Sequence, residues 1–148
     1  MKTLWQDASR RELIERARRL TPESRAQWGK LSVDRMLAHC VDAFGMGLGE
    51  IPVRPRRIPL LGWWPFNVLF IRLVGMPRNA PTAREIMTRP PASIDEELRA
   101  LEAALERFAS QRDRKEWPSH PAFGKLSGRT WGELGYVHTD HHLRQFGV

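Results

Sequence analysis

The stretch KLSVDRMLAHCVDAFGMGLG, residues 30–49, decides the fold. Val33, Met36, Leu37, Val41, Phe44 and Leu48 recur at helical spacing and give one wide apolar stripe. Ser32 suits the N-cap, Asp34 favours the positive end of the helix dipole, and Gly49 suits the stop. The spacing therefore predicts a helix from Ser32 to Gly49. In its middle, where an apolar side chain would be expected, stands His39.

Other helices lie to either side. Upstream, Leu13, Ile14, Ala17 and Leu20 line one face of a helix over 8–20, with Arg11, Glu15, Arg18 and Arg19 opposite and Thr21-Pro22 after it. Downstream, EIPVRPRRIP (50–59) carries three prolines and reads as a loop. LLGWWPFNVLFIRLVG (60–75) is almost wholly apolar, but Pro65 and Arg72 interrupt it and it is short for a membrane span. It predicts a short buried helix after Pro65, with an interfacial membrane element as the lesser reading. Residues 76–92 hold four prolines and read as connection. Ser93-Ile94-Asp95-Glu96 is a capping box, opening a helix that turns Leu98, Leu101, Ala104, Leu105 and Phe108 inward and ends near Gln111. After a loop over 112–126, Ser127 can cap a last helix that Gly147 closes. No convincing strand alternation appears. The prediction is an all-α bundle of four main helices, one domain over 1–148, with a short extra helix between the second and third. The long connection implies a topology other than simple up-down-up-down.

Composition narrows the rest. The chain has 148 residues, a formal net charge of +7 and one cysteine, Cys40, so no internal disulfide framework exists. The first twenty residues contain no apolar leader, and the expected location is cytoplasmic. Arginines are spread over separate elements, the densest groups being 10–11, 16–19 and 54–57, which reads as a solvated basic surface. No nucleic-acid motif appears, and no nucleic-acid partner or membrane span is expected; nucleic-acid binding, prompted by the charge and by tryptophans near arginines, ranks last among the readings. Trp28, Trp63, Trp64, Trp117 and Trp131 read as core or pocket wall.

Three of the five histidines fall in GYVHTDHHLRQFGV, residues 135–148. His138 and His142 are about 40° apart around a helix and one turn along it, so their imidazoles can converge on one ion. His141 lies about 60° to the other side of His138. A third ligand must come from another helix, and His39 is the candidate. Three histidines with an open position are the pattern of a catalytic metal centre. Residue spacing alone leaves the bland alternatives open: a hydrogen-bonded core histidine at 39, and a helix end favoured by its dipole. Around these ligands, His141, Gln145 and Asp42 are candidates to orient an imidazole or bind beside it; Asp42 is as well suited to pairing with an arginine. Asp140 points away. Cys40 reads as a small buried hydrophobe, and His120-Pro121 as loop architecture. WGKLS (28–32) and FGKLS (123–127) echo each other, each ahead of a helix that presents histidine.

WGKLSVDRMLAHCVDAF (28–44), NAPTA (79–83) and HPAFGKLSGRTWGELGYVHTDHHLRQFGV (120–148) resemble the DinB-like (DinB/YfiT) superfamily, in a branch still described as a domain of unknown function. The most specific part is the C-terminal His-x-x-His-His-x-x-Gln-Phe. The resemblance implies a four-helix bundle and a metal site made by His39, His138 and His142. It also implies a divalent ion, zinc or nickel first, and a small-molecule substrate. Some relatives are metal-dependent transferases that use a low-molecular-weight thiol. A homodimer is compatible with it, as is a non-catalytic metal-binding or stress-response protein of the same fold.

Overall fold

The spacing of apolar residues resolves into helices as read. The computed structural model describes residues 1–56 and 58–148; Arg57, last of the basic group at 54–57, lies outside the described residues. Helix α1 spans Asp7–Ala17, α2 Val33–Leu48, α3 Phe66–Leu73, α4 Ile94–Ala109 and α5 Gly128–Gln145, with a 3₁₀ turn at Arg84–Met87. Among the described residues there is no sheet, only an isolated antiparallel bridge between His120 and Gly124. No helix among them is long and apolar enough to cross a membrane.

The ends follow local chemistry. Ser93 accepts from the Glu96 N–H, and the Glu96 carboxylate accepts from the Ser93 N–H, closing the box at α4. Ser127 accepts from the Thr130 N–H at 3.2 Å. Ser32 occupies the N-cap of α2, but its side chain makes no capping bond. Its hydroxyl instead serves Asp34, whose carboxyl it pulls below the usual range. Gly49 ends α2 with φ +84°.

Helices α1 and α2 do not adjoin; each packs against α4 and α5 instead. Passing from α1 to α2 thus crosses the bundle diagonal, and so does passing from α4 to α5. That is the non-sequential topology the long connections suggested. The core runs through Leu13, Met36, Leu37, Leu105, Phe108 and Leu143, all at most 1% exposed. Each such side chain contributes ~1.5–3 kcal/mol by leaving water. Charged pins sit at the margins: Arg16 reaches Asp140 at 2.8 Å and the Val148 carbonyl at 3.0 Å, joining α1 to α5.

The segment 60–75 corrects the sequence reading. Helix α3 forms after Pro65, but it is not buried. Only Asn67 and Ile71, one turn apart, are fully buried, and Phe70 is half-buried against Phe123. Trp63 is 76% and Trp64 80% exposed, so these two are neither core nor pocket wall, and Leu69, Leu73 and Val74 are exposed too. A two-turn helix has one narrow inner face, so Phe66, Leu69 and Leu73 stay outside. What holds it is largely polar. Asn67 donates to the Phe123 carbonyl at 3.0 Å, and Arg72 forms a two-pronged pair with buried Glu133 of α5.

Candidate metal centre

Helices α2 and α5 adjoin, and their histidines meet where they do. The ligand atoms of His39, His138 and His142 all lie within 4.8 Å of one another. His39 Nε2 stands 3.1 Å from His138 Nε2. Two nitrogens sharing a tetrahedral ion at about 2.0–2.1 Å would be about 3.3 Å apart. The rings stand edge to face, with centroids 4.7–5.0 Å apart. The three histidines are therefore close enough to hold a metal ion.

Their outer nitrogens are tied down. His39 Nδ1 donates to the Ile86 carbonyl at 3.4 Å. Gln145 Nε2 donates to the Trp28 carbonyl at 2.7 Å, which turns Gln145 Oε1 towards His142 Nδ1 at 2.9 Å. Because a carbonyl only accepts, both Nδ1 atoms carry the proton, and both Nε2 atoms keep a lone pair. Such outer partners fix tautomer and orientation in metal-binding histidines. Burial lowers the pKa of all three; it takes His142 to about 3, helped by repulsion from His39, and pushes His138 well down, helped by His142 and His39. The imidazoles are neutral at pH 7, the form that ligates.

A family model described as a protein of unknown function (DUF1569) matches residues 6–147. The chain belongs to this family. No curated protein and no solved structure matches it. In this DUF1569 chain, the other sequence candidates divide. Gln145 reaches His142, as above. His141 packs its ring edge-on against His142 and Trp28, at 5.2 and 5.7 Å, without joining the three. Asp42 is buried and takes the arginine option: Arg89 Nε donates to it at 3.1 Å. The same guanidinium grips Glu97 of α4 at 2.5 and 2.9 Å, and Arg35 of α2 donates to the Arg89 carbonyl. This latch clamps the segment after the 3₁₀ turn between α2 and α4, and so sets the Ile86 carbonyl against His39. Asp140 pairs with Arg16 and Arg144, away from the centre. Cys40 is buried, and burial raises its thiol pKa, so it is inert.

The three histidines of the DUF1569 chain line a pocket of about 600 Å³. Its walls include Phe44, Ile58, Phe70, Met76 and Phe123. His120 lines it too, and sequence reasoning missed that. Its Nδ1 accepts from the Ala122 and Phe123 N–H groups at 3.1 and 3.2 Å. Burial lowers its pKa to about 4. Its signal was its place three residues ahead of the second echo, at the start of the resembling segment 120–148.

Proposed function

We propose that this chain is a mononuclear metal-binding enzyme of the DinB-like superfamily, one domain over 1–148, with His39, His138 and His142 as ligands. The observation that carries the reading is three neutral imidazoles, two with Nδ1 anchored to oxygen, at the wall of an apolar pocket. The donor set fits zinc or nickel. Three protein ligands leave a position for a small molecule, and a pocket beside them gives it room. A non-catalytic role would be better served by a fourth protein ligand and no adjoining cavity.

The ion would supply a Lewis acid that lowers the pKa of a bound thiol or water. By the DinB-like resemblance the reaction is transfer to or from a low-molecular-weight thiol. The chain's own residues supply the rest. The Ile86 carbonyl and Gln145 hold two rings in one tautomer, and the apolar walls limit water. Metal content by mass spectrometry tests the reading on tag-free protein, beside His39→Ala and the His138→Ala/His142→Ala double variant. About one divalent ion per chain is expected, and it is lost in both variants. An ion kept as tightly in His39→Ala would overturn the assignment.

A further inference from the structure

The pocket is one-sided in its chemistry. Among the described residues no Asp or Glu lines it, whereas Lys30, Arg56 and Arg78 do. None of these three cations is in an ion pair among the described residues. Arg78 lies over the Trp28 ring at 4.3 Å, held by the indole face.

The neutral polar groups point to the same bias. Since His120 Nδ1 accepts two backbone N–H bonds, its Nε2 bears the hydrogen and can only donate. Trp131 is 3% exposed and lines the pocket, and its indole N–H is buried without a partner. The Trp28 indole N–H is likewise buried and unpartnered. A buried donor without an acceptor is costly, and an acceptor on a ligand would remove that cost. Gln145 Oε1, an acceptor at the pocket wall, is already taken by His142. Beyond these groups the polar side chains on the wall are the uncharged Asn79, Thr82 and His141, and the rest is hydrocarbon and aromatic.

We propose that the pocket binds an apolar organic anion: a hydrocarbon or aromatic body bearing a carboxylate, sulfonate or similar acceptor group, drawn by Arg56 and Arg78. The body replaces water against Phe44, Phe70 and Phe123. The acceptor group meets the unpaired cations and the free N–H donors. The proposal rests on the reading of the histidine site only in taking this pocket as its substrate pocket; the arginines act with or without an ion.

The test uses two dyes with the same rings, 1-anilinonaphthalene-8-sulfonate and its uncharged parent N-phenyl-1-naphthylamine. They are titrated against the full chain in a Trp63→Ser/Trp64→Ser background, which removes the exposed indoles as a rival dye site. Metal content is measured on the same samples. The anion is expected to bind at least tenfold tighter than the neutral dye. Arg56→Gln/Arg78→Gln should cut that preference at least fivefold, Lys30 keeping the remainder, and leave neutral-dye affinity within twofold. Equal affinity of the two dyes, or a preference undiminished in the double arginine variant, would overturn the proposal. A preference in protein that takes up no metal would sink the metal reading and leave this one standing. Metal uptake without the preference would do the reverse. Should the double variant unfold by circular dichroism, Arg78→Lys is used: it keeps the charge without the planar stacking and should retain most of the preference, and a complete loss there would overturn the charge argument.

Discussion

The two look-alike segments, WGKLS (28–32) and FGKLS (123–127), do different work. Each holds a glycine at positive φ, +79° at Gly29 and +67° at Gly124, and each leads into a histidine-bearing helix. The first is pressed against the far end of the chain. A Cβ on Gly29 would stand 2.6 Å from the Gln145 side-chain nitrogen, and the Trp28 carbonyl receives the Gln145 amide that steadies His142. The second is pressed against the insertion. A Cβ on Gly124 would stand 2.7 Å from the Gly62 carbonyl oxygen, and the Phe123 carbonyl receives Asn67 of α3. One segment braces a candidate ligand, and the other braces a helix. Similar words in a sequence take their meaning from what the fold lays on them.

The sharpest way to break this contrast is alanine at each glycine. At Gly124 the clash is with backbone, which cannot step aside, and the left-handed conformation adds its own cost. Gly124→Ala should lose about 2–4 kcal/mol in denaturant titration while metal affinity stays within about threefold. At Gly29 the clash is with a flexible amide. Gly29→Ala and Gln145→Ala should each weaken metal binding about 10–100-fold in a competition assay with a chromogenic chelator. If both glycine variants lost the same property to the same degree, the division of labour would be wrong.

A pH titration sharpens it further, because only the second segment is preceded by a half-buried histidine. His120 has its folded pKa depressed, to about 4 against an ordinary 6.5. The unfolded chain binds the proton more readily, so this stabilisation is complete above about pH 6.5 and is lost as pH falls towards 4. His120→Asn, which keeps an acceptor for the two backbone N–H groups, should reduce the loss of stability between pH 6.5 and 4 by about 2 kcal/mol. An unchanged slope would place the acid sensitivity in other groups. The smallest effect belongs to the exposed indoles. Trp63→Ser/Trp64→Ser should change stability by less than about 0.5 kcal/mol, since the insertion is held by Asn67, Ile71 and Arg72. A larger loss would show that these rings brace the insertion after all.

The helices were legible because their signals are local. The stripe of α2, the capping box of α4 and the cap at Ser127 each lie within a few residues. The pairing of His138 with His142 was legible for the same reason, and the single mid-helix histidine pointed to the other helix. What escaped depends on distant partners. Arg89 lies 47 residues from Asp42, and Trp28 lies 117 from Gln145; nothing near either residue announces the meeting. The insertion misled because an apolar run implies burial only if the fold has a surface to receive it. Asn67 was the better sign, a polar residue whose inward turn gave α3 its anchor.

The two anchored imidazoles also differ in what inheritance can alter. His39 leans on a main-chain oxygen at Ile86, which every amino acid possesses, so drift at that position leaves the contact intact while the turn keeps its path. His142 leans on the side chain of Gln145, which one replacement can delete or recharge. A replacement at position 145 therefore reaches the cluster directly, whereas a replacement at position 86 reaches it only by bending the turn.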